Sequence, residues 1–307
     1  MTYEDFKIAL TSEVVHQAGE EVDVRLHKIT KNNGVVMDAM TIMAKGGHVA
    51  PTLYLLEYYV RHQEGESVKS MAAEAIKLSL SNPIEKILPE GFFMTYESVK
   101  NRICYRLINY EKNEVFLKEI PHKRYWDLAM VFYYAVDADV LHHATVLIRN
   151  TDMERWNVQE EDLMKAAMRN TPVIFPWRFA SIQHVIEELM FEGIEEAMAT
   201  IEKTCEIMQA DEESVPMYIL TNKERHYGAA CILYPGLLAS IADRFGCDLY
   251  ILPSSIHECI IMPVSEWYTK DGLSKMVQEI NEREVDDVEI LADHVYVYER
   301  ETEEIQL

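Results

Sequence analysis

Two stretches of the chain repeat one order of events. Residues 144–169 read ATVLIRNTDMERWNVQEEDLMKAAMR, and residues 215–245 read VPMYILTNKERHYGAACILYPGLLASIADRF. Each begins as an apolar run of strand character, breaks at an asparagine (Asn150 or Asn222), passes an aromatic residue and continues at helical spacing. Hairpins and antiparallel neighbours mixed with helical stretches point away from a doubly wound sheet. The pattern predicts an α+β fold of mixed or antiparallel sheets with packed helices. Neither copy contains a recognisable catalytic motif.

The rest of the chain fits that class. A first helix is expected over residues 3–15, capped by Thr2 with Asp5 at the reciprocal position. Asn33-Gly34, set between VDVRLHKI and VVMDAMTIM, signals a hairpin, because both residues tolerate positive φ. Pro51 is read as opening a helix that Gly65 ends, and Ser67 as capping the next one. Pro83 and Pro89 suggest a hinge over 82–91. MTYE recurs at residue 94, which predicts a helix over MTYESVKNRICYRLINY capped by Thr95. NEVFLKEI reads as a short helix, and RYWDLAMVFYYAV as a buried strand with HHATVLIRN antiparallel to it. QEEDLMKAAM is helical and should break at Asn170-Thr171-Pro172.

One long helix is expected at about 181–209, with Ile182, Val185, Ile186 and Leu189 on its apolar stripe and Glu187 and Glu188 facing solvent. DLYILPSSIHECIIMPV reads as two strands around Pro253, followed by a short helix at 273–280, an edge strand HVYVYE and a fraying tail ETEEIQ. Two arrangements follow: an N-terminal α+β region 1–209 with a C-terminal α+β region 210–307, or one continuous large domain.

Charge narrows the function. The chain carries 52 acids against 29 bases, a formal net charge of −23. That field repels phosphate backbones and anionic bilayers, so neither nucleic acid nor membrane is an expected partner. A protein or peptide partner is permitted. No apolar run approaches the roughly 20 residues that span a bilayer, and the N-terminus lacks the features of a signal peptide. The five cysteines are odd in number and form no C-x-x-C pair, which fits reduced thiols and a cytoplasmic location. Nothing in the spacing calls for a cofactor or a metal.

The candidate catalytic residues are Ser255, His257, Glu258 and Cys259, next to Ser254. A histidine close to a thiol and a hydroxyl is the raw material of an activated nucleophile. On a strand, however, His257 and Cys259 would stand roughly 6–7 Å apart, too far for a direct hydrogen bond. The segment also lacks both a G-x-S-x-G elbow and a second histidine for H-E-x-x-H. Asn150 and Asn222 are candidate ligand-binding residues at strand ends, with turn stabilisation as the competing role. Trp177 and Arg178 form an aromatic and basic island suited to a carboxylate or a peptide, or to closing the surface against the long helix. His142 and His143 with Asp137, Asp139 and Asp152 lack metal-ligand spacing, and a solvent-facing turn is expected there.

Several segments resemble a known family. VRLHKITKNNGVVMDAMTI with PTLYLLEYY, INYEKNEVFLKEIPHKRYWDLAMVFYY, ATVLIRNT, PMYILTNKERHYGAACILYPGLL and DLYILPSSIHECIIMP together are similar to the DUF5688 family of Firmicutes. The likeness spans most of residues 1–300. A looser resemblance to DUF1444 rests on LPSSIHE and the adjoining helix. The resemblance implies a bacterial cytoplasmic protein and brings no catalytic residues with it. The functional expectation is therefore a binding or accessory protein; the alternative is a small-molecule or peptide hydrolase using residues 254–259.

Overall fold

The computed structural model describes residues 1–46, 50–80, 95–135, 145–192, 216–253 and 255–307. Contacts divide the chain into two units, Met1–Phe93 and Met94–Leu307.

In the first unit, α1 (Tyr3–Ala18) starts where Thr2 Oγ1 accepts the Asp5 amide at 3.2 Å and donates to the Asp5 carboxylate at 2.6 Å. Its Phe6, Leu10 and Val14, each four residues apart, are fully buried. Strands β1 (Val22–Thr30) and β2 (Val36–Ala44) form the expected hairpin, with Asn33 at φ 59° and Gly34 at φ 73° in the turn. Pro51 does not open a helix. Thr52–Tyr54 is strand β3, paired with Ala39–Thr41, and α2 begins at Leu55 (Leu55–Gln63). Edge pairing with β2 buries Leu53, which outweighs the local helix signal. Helix α3 (Val68–Leu80) starts with the Ser70 amide on Ser67 Oγ at 3.1 Å and adds Met71, Ala72 and Ala75 to the core.

The described residues of the second unit form two antiparallel sheets. In the smaller one, β6 (Leu128–Ala135) lies between β4 (Ile103–Asn109) on one side and β5 (His122–Tyr125) and β7 (Thr145–Leu147) on the other. The helix expected over residues 94–110 is only α4 (Tyr96–Val99), and ICYRLIN is β4. Both faces of β4 are buried, so its residues lose the polar alternation that marks a strand and resemble a buried helix segment. The Thr95 hydroxyl meets that of Ser98, not a helix amide.

Helix α5 is Glu114–Leu117, α6 is Asn150–Trp156 and α7 is Glu160–Ile174. Helix α7 continues through Pro172, where a break was expected. Thr171 Oγ1 donates to the Ala167 carbonyl at 2.7 Å and accepts the Tyr105 amide at 3.1 Å, while Asn170 Nδ2 donates to the carbonyls of Lys100 and Ile103. These bonds pin the helix to β4 and the turn before it, in the two residues just ahead of the amide that proline lacks.

The larger sheet has the order β13-β12-β10-β11-β9-β8. Its strands are β8 (Trp177–Ser181), β9 (Tyr218–Asn222), β10 (Leu249–Leu252), β11 (Cys259–Pro263), β12 (Tyr296–Glu299) and β13 (Glu304–Gln306). HVYVYE is therefore an inner strand, and the tail expected to fray supplies the edge, with Ile305 opposite the buried Tyr298. β8 pairs directly with β9, so this sheet draws strands from both sides of residues 209–210.

Helices α8 (Ile182–Glu192) and α10 (Lys270–Glu284) cover one face of that sheet with Ile182, Val185, Leu189, Leu273, Val277 and Ile280. Thr269 caps α10, which is longer than the expected 273–280. Helix α9 is Leu237–Phe245. Residues 193–209 of the expected long helix, the 82–91 hinge, and Asp137, Asp139, His142 and His143 lie outside the described residues. The fold is α+β with antiparallel sheets and packed helices, and no described helix is long and apolar enough to cross a membrane.

Candidate functional site

The candidates of the second block and of residues 255–259 converge. At the end of β9, Asn222 is buried and closes the following turn: its Nδ2 donates to the His226 carbonyl at 2.7 Å and its Oδ1 accepts the His226 amide at 3.3 Å. Tyr227 then takes the left-handed conformation, φ 55°. Gly228 follows in a gap that admits no side chain. A Cβ there would stand 2.1 Å from Thr221 Oγ1, 2.5 Å from the His257 carbonyl oxygen and 2.7 Å from the Asn222 amide nitrogen. The small residue is needed for backbone packing, with Thr221 Oγ1 donating to the His257 carbonyl at 2.8 Å.

His257 is thereby laid against the Tyr227 turn. Its Nδ1 accepts the Tyr227 amide at 3.3 Å, and its ring lies 5.8 Å from the Tyr227 ring at an interplanar angle of 10°. An accepting Nδ1 places the proton of the neutral ring on Nε2, 3.4 Å from Glu289 Oε1. The hydrogen bond from His257, against the opposing effect of burial, holds the Glu289 carboxyl below the usual carboxylate range. Ser255 Oγ accepts the His257 amide at 3.0 Å. Burial pushes the Glu258 carboxyl up, reinforced by Glu289 and opposed by His257 and Ser255. Cys259 opens β11 fully buried, and burial raises its thiol well above the ordinary value. Ser254 lies outside the described residues.

The chemistry open to this cluster follows from what is already engaged. Nucleophilic catalysis needs a ring nitrogen able to take a proton from a hydroxyl or thiol. Here both His257 nitrogens face other groups, the Ser255 hydroxyl serves a backbone amide and the Cys259 thiol is enclosed. Among the described residues no trio of His, Cys, Asp or Glu is arranged to hold a metal ion. Three partners were not legible in the sequence: Arg106, whose guanidinium lies 4.4 Å over the Tyr227 ring; Tyr133, edge-on to it at 5.8 Å; and Glu289. Asn222 was the signal pointing to this turn, and Gly228, Ala229 and Ala230 after Tyr227 serve close backbone approach.

The remaining candidates lie elsewhere. Asn150, at the start of α6, donates from Nδ2 to the Lys118 carbonyl at 2.9 Å and from its amide to the Glu119 carbonyl at 3.1 Å. Asp152 accepts the Arg149 amide at 2.9 Å and so caps the same helix. Trp177 is half exposed, opposite Asn222 in register. Arg178 reaches α8 and bonds Glu188, which also receives Arg225 at 3.2 Å and His184 Nε2 at 3.1 Å. Arg178, Glu188 and Arg225 border an open hollow of 730 Å³ that is also lined by Glu187, Phe191, Lys223 and Glu224. Phe191 is 94% exposed.

Fold and sites together define an antiparallel α+β protein with one polar–aromatic cluster around His257 and one open, charge-lined hollow at a sheet edge. The chain belongs to DUF5688, a family of unknown function whose model matches residues 3–300. No curated protein and no solved structure matches it.

Proposed function

We propose that the protein is a binding or accessory protein whose second unit docks an extended, acid-bearing segment of a partner protein at the β8–α8 hollow. The observation that carries this reading is the pairing of Phe191, 94% exposed, with Arg178, Lys223 and Arg225 around one hollow. Exposed aromatics and arginines are the residue types that anchor protein interfaces. Among the described residues, β8 pairs on one side only, with β9. Its other side offers backbone groups for strand addition. Lys223 has no carboxylate partner among the described residues, which leaves a cation for an acidic side chain.

Binding is favoured over hydrolysis by the engaged nitrogens of His257. A reducing compartment such as the cytoplasm suits the unbridged Cys104, Cys231, Cys247 and Cys259. Peptide display against the full chain tests the reading, with a Phe191→Ala/Lys223→Glu variant as counter-target. Enriched peptides should carry acidic and apolar residues and lose at least about tenfold in affinity, roughly 1.4 kcal/mol, on the variant. Peptides that bind both proteins equally, or no enrichment, would overturn it.

A further inference from the structure

We propose that Arg106 anchors a second, small-molecule site that takes a planar monocarboxylate. Arg106 is the one half-buried residue of β4, flanked on both sides by buried neighbours. Its guanidinium lies 4.4 Å over the Tyr227 ring, and its Nε is shielded from solvent with no hydrogen-bond acceptor.

No carboxylate of the described residues comes within ion-pair distance of it, although its unit contains 39 acids against 20 bases. Elsewhere in this unit Arg149, Arg155, Arg178, Arg283 and Arg300 each meet a carboxylate. A cation drawn partly out of water without a counter-charge is costly, and the ring beneath it compensates in part. A buried, unsatisfied polar group in a folded protein calls for a missing partner. An anion on the accessible part of the guanidinium supplies the missing counter-charge, while Nε stays buried beside the Tyr227 ring.

The surroundings select the anion. One guanidinium balances one negative charge, and a dianion such as phosphate would keep excess charge within a unit of net −19. Tyr227 under the guanidinium and the parallel ring of His257, both partly accessible, set flat aromatic faces beside it. A planar unsaturated or aromatic carboxylate matches both the fork and the faces. This site does not rest on the peptide-docking reading.

Thermal unfolding of the full chain in sodium benzoate tests it, against sodium chloride at the same ionic strength and sodium acetate as the non-aromatic arm. Binding to the folded state raises the melting temperature. The wild type should show a saturable rise in millimolar benzoate, a smaller one in acetate and none in chloride, and Arg106→Met should abolish the rise. No rise in the wild type, or an equal rise in Arg106→Met, would overturn the proposal. If Arg106→Met does not fold, Arg106→Lys decides: it keeps the charge without the planar fork. Affinity at least tenfold weaker supports the site, and unchanged affinity overturns it.

Discussion

The blocks at 144–169 and 215–245 share a sequence pattern and differ in what their asparagines do. Asn150 sits outside the core and joins the start of α6 to a neighbouring loop by donating to the Lys118 carbonyl. Asn222 is buried, with both ends of its amide used on the His226 backbone. Beyond the asparagine the first block goes straight into a capped helix, whereas the second turns through a left-handed Tyr227 into Gly228 and brings His257 alongside. A strand-corner-helix pattern thus sets where the chain turns. The packing around the corner decides whether it becomes a surface connection or the floor of a site.

The sharpest way to break the comparison is Gly228→Ala. Its Cβ would meet two backbone atoms at 2.7 Å or less, so the turn must move. A loss of at least about 4 kcal/mol is expected in urea unfolding. A loss below about 1 kcal/mol would show that the turn yields easily.

Next comes the asparagine pair itself. Asn222→Ala strips two bonds from a buried turn and should cost about 2–3 kcal/mol, against about 1 kcal/mol or less for Asn150→Ala. Equal losses in matched denaturation curves would erase the difference between the blocks.

A smaller effect separates the two glutamates beside His257. The Glu289 carboxyl is lowered in the fold, so its stabilisation is present above the unfolded carboxylate value of about 4.3 and is lost as pH falls through the folded value. The Glu258 carboxyl is raised, so its contribution is favourable at low pH and lost as pH rises through the raised value. At pH 7, Glu289→Gln should therefore lower stability, by no more than about 1 kcal/mol for a partly exposed pair, and Glu258→Gln should raise the melting temperature. Both differences should shrink as pH falls into the carboxylate range; melting curves at pH 7 and at acid pH measure the sign.

The smallest expected signal is kinetic. Burial lifts the thiols of Cys104 and Cys231 to about 12, and Cys231 lies in the turn that follows Gly228. Peptide mapping after brief alkylation of the native protein should find half-buried Cys247 labelled well before Cys104, Cys231 and Cys259.

Much of the fold was legible because local chemistry carried it. Thr2 and Ser67 cap helices, Asn33-Gly34 makes a hairpin, and the aromatic run of β6 is a buried strand, all as their residues predict. The failures share a cause. ICYRLIN, TLY and the tail around Ile305 are strands because partner strands lie beside them, and Pro172 stays helical because Thr171 and Asn170 are tied to β4. The site was half legible. His257, Glu258 and Asn222 stood out by residue type, but Glu289, Arg106 and Tyr133 come from remote segments, and no local spacing announces them.

By itself, the sequence determined the α+β class, the hairpin and cap positions, the strong negative charge and the polar segment worth testing, since each depends on neighbours within a few residues. Only the tertiary structure decided that His257 would spend both ring nitrogens on Tyr227 and Glu289, that Gly228 would be locked between β9 and the His257 backbone, and that Arg106 would meet no carboxylate among the described residues. Hydrogen bonds and charge pairing are fixed by distances of a few ångströms, and here those distances join residues far apart along the chain.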